Sequence, residues 1–321
     1  MSEKENNIGK LLQDGTISGL IKRFGKDGAW KIYELFRKDH ISKLQKMFDS
    51  CDHFWYLFKD LGPKCVTKDG NEEYSMEEWC TKIYEVLDPF LNLTPGDKIL
   101  YVTWLLAYMS GFTRLPILVI DGPEGCGKST LCKITHAIVN TDQFCSFYGR
   151  EKQPYEPVLL TGQEGGKEVF DSILRKDLTI YENVTELNDD QISGMTLSTI
   201  LQIPREVALQ QRGVILQSSG LVLPDDMRDY CIRLKMPTLK ETKPQEDIMA
   251  ELEQNLSDVY KAATSLYTRM FIYHDAIISN DCTIEPTTEK SKILADYLLA
   301  GVCIAFVVGN IREFLEQFQK Q

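Results

Sequence analysis

The chain has no CxxC pair among its nine cysteines, and its four histidines, His40, His53, His136 and His274, are scattered. That pattern excludes a zinc-finger framework, and the irregular cysteine spacing suits reduced thiols rather than a disulfide scaffold. No apolar run approaches the ~20 residues that a spanning helix requires. The two candidates, Ile99 to Met109 and Tyr297 to Val308, are far shorter and read as buried helices. The opening residues, MSEKENN, form no secretory leader, so the expectation is a cytoplasmic protein, or an intracellular one in a viral or host setting, without membrane contact. Positive charge is also scarce: 36 Lys+Arg against 47 Asp+Glu leave a net charge of −11. A surface dominated by a nucleic-acid-binding face is thereby excluded, although a basic channel formed locally or on oligomerisation is not. Internal repeats and low-complexity tracts are absent. What is present is an apolar fraction of 43%, ample for a packed core, in a length that fits two domains or one α/β domain with a helical addition.

One stretch organises the rest: Gly122, Pro123, Glu124, Gly125, Cys126, Gly127, Lys128, Ser129 and Thr130. Two glycines bracket four residues and are followed by Lys-Ser, the P-loop pattern. The apolar run Leu115 to Ile120 precedes it and a helical pattern, Leu131 to Val139, follows, which is the strand–loop–helix context the motif needs. Glycines let the backbone curl so that successive N–H groups converge on phosphate oxygens, and the helix adds its positive end. Lys128 is expected to reach the β- and γ-phosphates of ATP, with the Ser129 hydroxyl on Mg²⁺.

Around this motif the pattern divides three ways, into a helical region 1–95, an α/β core 96–240 and a helical region 241–321. In the first, Ile17 to Phe24 and Trp30 to Phe36 carry apolar residues at helical spacing. Glu77 to Leu87 is amphipathic and ends at Asp88-Pro89. Thr94 and Pro95 read as N-cap and first residue of a helix reaching Tyr108. In the core, strands are expected near Asp177 to Tyr181, Val214 to Gln217 and Cys231 to Lys235, with helices at Glu168 to Arg175 and Asp189 to Thr199. Asp189 and Asp190 are the expected caps of the latter. Tyr148 to Lys167 is polar, carries Gly162, Gly165 and Gly166, and reads as a mobile excursion. From Ile248 to Ile278 and from Lys290 to Phe318 the pattern is helical again.

Phosphoryl transfer needs more than a phosphate loop: an acid on the Mg²⁺ side, a group orienting the attacking water, and positive charge for the transition state. The strand Leu178 to Tyr181 followed by Glu182-Asn183 supplies the acid, so Ser129 and Glu182 are the expected metal-side residues and Asn183 a polar group at the γ-phosphate. Gln217, with Ser218 and Ser219 after it, ends the strand expected to carry a γ-phosphate sensor. Of the arginines Arg205, Arg212, Arg228 and Arg233, Arg228 is best placed in sequence to act as a finger.

These pieces resemble the P-loop ATPases of mobile elements, phages and small DNA viruses, related to superfamily 3 helicases and AAA+ ATPases. The matching stretches are Leu91 to Thr94, Tyr101 to Ala107, Leu115 to Lys133, Ile180 to Asn183, Arg212 to Gln217 and Leu294 to Tyr297. The resemblance implies an α/β fold: an AAA+-like P-loop NTPase core with a parallel sheet, flanked by N-terminal and C-terminal helical regions, the last a lid. It further implies ATP and Mg²⁺ as cofactors, a homo-oligomer, and DNA reached through an oligomeric channel. The chain departs from that pattern at Glu182-Asn183, at Gln217 and at Tyr230, where the resemblance leads one to expect paired acids or Asp-Asn, Asn, and Arg. A slow, ATP-gated scaffold that assembles with protein partners, the N-terminal helices included, therefore stands beside the motor. A P-loop kinase is the third reading, resting only on Arg150, Lys152 and Lys167.

Overall fold

The computed structural model describes residues 76–110, 115–147, 151–200, 212–239, 243–279 and 311–320, with single helical positions between 293 and 304. The expectations for the first 75 residues, for Arg205 and for Arg150 lie outside the described residues. The first described helix, α1 (Met76–Leu87), gives way at Pro89 to a single 3-10 turn. Helix α2 (Pro95–Ser110) starts as expected: the Asp97 N–H donates to the Thr94 hydroxyl oxygen at 3.2 Å, and that hydroxyl donates to the Asp97 carboxylate at 2.6 Å. Ile99 to Met109 are all buried, because this helix is apolar on every side and sits between the sheet and the C-terminal helices.

The strands and helices then alternate as β1 (Ile117–Asp121), α3 (Lys128–Val139), α4 (Asp142–Phe147), β2 (Val158–Leu159), α5 (Gly166–Arg175), β3 (Leu178–Val184), α6 (Asp189–Ile200), β4 (Gly213–Ser218), α7 (Asp225–Arg228) and β5 (Cys231–Lys235). A long helix, α8 (Gln245–Ser279), and a short one, α9 (Ile311–Gln319), follow. The five strands form one sheet in the order β2-β3-β4-β1-β5, parallel throughout.

This order decides where the faces go. From β1 the chain crosses the sheet toward β2, whereas from β4 it steps over β1 in the other direction to β5. Right-handed crossovers in opposite directions place their helices on opposite faces. The core divides accordingly. Leu131, Cys132 and Ile134 of α3 pack with Leu118, Ile120, Ile180, Ile215 and the buried side of α2. Val169, Ile173, Met195 and Met227 pack on the other face with Ile117, Val119, Val214 and Leu216. Both faces are covered, so the strands read as continuous apolar runs. Between α5 and α6 the helices meet with no room for a side chain: a Cβ on Gly194 would lie 2.3 Å from the Gly166 carbonyl oxygen.

One strand was not foreseen and one expectation needs correction. Within the excursion expected from Tyr148 to Lys167, Val158 and Leu159 form the edge strand β2, pairing with Tyr181 and Glu182. The cap of α6 is Asn188 rather than Asp189 or Asp190. Its side-chain oxygen accepts the Gln191 N–H at 2.8 Å while the Gln191 carboxamide oxygen accepts the Asn188 N–H at 3.1 Å, a reciprocal capping box.

Candidate functional site

The connection from β1 to α3 lies at the carboxyl end of the sheet, beside β4, where the crossovers diverge. In open α/β sheets that divergence leaves a crevice outside the strand ends, and ligands bind there. Gly127 precedes α3 with φ of +93°, a left-handed conformation that a side chain would strain. Gly122 permits a close approach instead: a Cβ there would sit 2.8 Å from both the Met236 carbonyl oxygen and the Cys126 sulfur. Pro123, Glu124 and Gly125 form the exposed crest of the loop, and Cys126 is buried beneath it.

Lys128 is the first residue of α3 and only 6% exposed. Its ammonium donates to the Gly122 and Pro123 carbonyl oxygens, both at 2.7 Å, which folds the side chain back over the loop. Ser129 and Gln217 meet across the crevice, the hydroxyl donating to the carboxamide oxygen at 3.4 Å. Gln217 faces α3 because it alternates with Leu216, whose side chain belongs to the opposite face. Ser218, the next residue of the strand, points to that opposite face and donates to the Asp121 carboxylate at 2.9 Å.

Glu182 is reached through a bulge. Tyr181 aligns with Leu216 and Val184 with Ser218, so β3 holds one residue more than its partner. The extra residue lets Val184 regain the buried face while Glu182 turns toward α3, near enough that its charge adds to the effect of burial in pushing the Cys132 thiol up. Asn183 completes the bulge at φ of +56°, a conformation asparagine tolerates better than most residues. It is exposed.

Tyr155 was not anticipated. Its hydroxyl donates to Glu182 Oε1 at 2.8 Å. The ring is held from α3, with the Lys133 ammonium 5.6 Å from its centroid and His136 edge-on at 5.5 Å. Burial, with the neighbouring Cys132 and the Glu182 bond, raises the Tyr155 phenol, so it remains a proton donor to the carboxylate at neutral pH. Asn92 lies in the matching stretch Leu91 to Thr94 but was given no role: its amide donates to the Cys126 carbonyl at 3.1 Å and the Pro237 carbonyl at 2.8 Å, tying the base of the loop to the segment after β5. No local signal marks either residue, since both act over long sequence separations.

Arg228 lies elsewhere, on α7. Its Nε donates to the Leu223 carbonyl at 3.3 Å and its guanidinium pairs with Asp225 at 3.2 Å. Arg212 pairs with Asp177 at 2.5 Å, at the opposite end of β4 from Gln217. Lys152 pairs with Asp142 at 2.7 Å.

Below the loop, Asp121 joins β1 to the turn after β4. Burial works to raise its carboxyl, but the Gly220 N–H at 2.7 Å, the Ser218 hydroxyl, Arg233 and the Gly122 N–H outweigh it and hold the group below the usual aspartate range. The folded chain therefore binds this proton more weakly than the unfolded chain does. The stabilisation is complete above the ordinary aspartate value of about 3.9 and is lost as pH falls through the lower folded value. Asp121→Asn should lower stability by about 1 kcal/mol at pH 7. Denaturant titrations of variant and wild type should converge as the pH is taken below that window.

Compared with protein-family models, with curated proteins and with solved structures, the chain gives no match. Among the described residues no group of three or more His, Cys, Asp or Glu could cage a metal ion. The residues expected on the metal side, Ser129 and Glu182, offer a hydroxyl and a carboxylate, both hard oxygen donors. They fit Mg²⁺, which keeps several waters and takes much of its remaining coordination from phosphate oxygens. Among the described residues no helix is long and apolar enough to cross a membrane.

Proposed function

We propose that this chain is an ATP-binding and ATP-hydrolysing protein with an AAA+-like P-loop core. One observation carries the reading: Lys128-Ser129, Gln217 and Glu182 come from three elements and face one crevice at the carboxyl ends of β1, β4 and β3. The loop and the first turn of α3 offer N–H groups to the phosphates, and Lys128 leaves its two carbonyl partners for the β- and γ-phosphates. Mg²⁺, when bound at Ser129, would neutralise charge developing on the phosphate oxygens. Glu182, expected from the sequence on the Mg²⁺ side, is assigned here the proton of the attacking water as well. Because Tyr155 occupies Oε1, that task falls to Oε2, and the tyrosine fixes the carboxylate plane. Gln217 stands where it can bond both Ser129 and the γ-phosphate. Asn183, beside Glu182, is a polar neighbour of that phosphate.

The partner we propose is DNA, contacted through a local channel of a homo-oligomer rather than over the acidic surface, with Arg228 supplied at the junction between copies. ATP turnover by the full chain, with and without single- and double-stranded DNA over a salt series, tests this reading. Turnover that DNA accelerates, with the acceleration falling steeply as salt rises, supports a motor. Tight ATP binding with negligible turnover under every condition favours the ATP-gated scaffold, a reading supported by the departures at Gln217 and Tyr230.

A further inference from the structure

A second cavity, of about 400 Å³, opens beside the edge strand β5, and no residue of the glycine loop lines it. Its size falls within the range of small-molecule sites, roughly 300–1,000 Å³. The lining combines two chemistries. The apolar part is the turn after β4, where Leu221 and Leu223 are anchored in the core and Val222 between them stands 79% exposed. Around it stand four cationic side chains, Arg228 from α7, Arg233 and Lys235 from β5, and Lys320 just past α9.

Among the described residues, the two arginines are met by nearby carboxylates and the two lysines are not. The one acid in the lining, Asp97, is 2% exposed and already accepts the Thr94 hydroxyl and the Gln317 amide, the latter at 2.9 Å. Arg228 and Arg233 are held against the turn by the Leu223 and Leu221 carbonyls, and their guanidiniums face Asp225 and Asp121 at 3.2 and 4.0 Å. Lys235 and Lys320 have no ion-pair partner among the described residues. On a chain with a net charge of −11, two lysines left without a carboxylate partner at one hollow set it apart from the overall field.

We propose that this cavity binds a small phosphorylated molecule, its phosphate held by Lys235 and Lys320 and its organic part laid on Val222. Arginine forks match phosphate oxygens in geometry, while lysines act as mobile point charges that close on them. The site is separate from the glycine loop, and the proposal stands whether or not that loop binds ATP.

The test is thermal unfolding of the full chain with inorganic pyrophosphate and no Mg²⁺, compared with KCl at matched ionic strength. Wild type, Lys128→Ala and the triple variant Lys128→Ala/Lys235→Ala/Lys320→Ala are measured together, the last two removing any contribution of the glycine loop. Both cavity lysines are exposed, so the triple variant should fold as Lys128→Ala does, which its circular dichroism checks. The expected result is a saturable rise in Tm of about 3 °C or more in wild type at high saturation. The rise persists in Lys128→Ala and disappears in the triple variant. A rise that the triple variant keeps, a rise that Lys128→Ala loses, or a wild-type rise no larger than that in matched KCl would each overturn the proposal.

Discussion

Lys128→Met should lower ATP affinity by about a hundredfold or more, corresponding to the loss of charge-assisted bonds to two phosphates. The variant keeps the length and apolar stem of the side chain, which matters because Lys128 is nearly buried and bridges two loop carbonyls. Losing those bonds should cost about 1–3 kcal/mol of stability as well. Fluorescent-nucleotide titration beside a denaturant curve separates the two effects. Lys128→Ala should show the same loss of affinity with a larger drop in stability, since it also removes packing. Undiminished ATP binding in a folded Lys128→Met protein would sink the assignment of the loop.

Glu182→Gln should leave ATP affinity within a few-fold of wild type and reduce turnover by about 10²–10⁴, the range attributed to a positioned general base. The substitution is nearly isosteric and keeps an oxygen for the Tyr155 hydroxyl, so a change in fold is not expected. Tyr155→Phe is the companion measurement. It removes the 2.8 Å bond to Oε1 while keeping the ring between Lys133 and His136. A roughly tenfold fall in kcat with KM unchanged is the expected signature of a residue that only orients the carboxylate, in line with bonds to charged groups worth ~1.5–3 kcal/mol. Equal kcat in wild type and Tyr155→Phe would show that the tyrosine is a packing residue. Equal kcat in wild type and Glu182→Gln would move the base elsewhere.

The loop and its flanks were legible because every signal there is local. An apolar run is followed by glycines at fixed offsets and then by helical periodicity, and the structure places β1, the bend and α3 in that order. The same holds for the start of α2, where Thr94, Pro95 and Asp97 lie within a single turn. Where several residues could serve equally, the reading failed. Asn188, Asp189 and Asp190 can all cap a helix, and the choice fell to Asn188 because Gln191 sits three residues on to return the bond. Strand β2 was missed since two residues carry no periodicity; Val158 and Leu159 are extended only because β3 offers them an edge.

Acting alone, the sequence determined the apolar strands, the glycine bend, the helix that begins at Lys128 and an acid near the end of β3. All of these depend on neighbours in the chain. Tertiary structure decided the strand order β2-β3-β4-β1-β5, and with it which side chains share a crevice. It brought Gln217 to Ser129 and Tyr155 to Glu182, set Ser218 on the opposite face, and hollowed the cationic cavity beside β5. The reason is physical. Crossover direction and strand register are set by burying two apolar faces at once, and that constraint belongs to the whole sheet rather than to any segment of it.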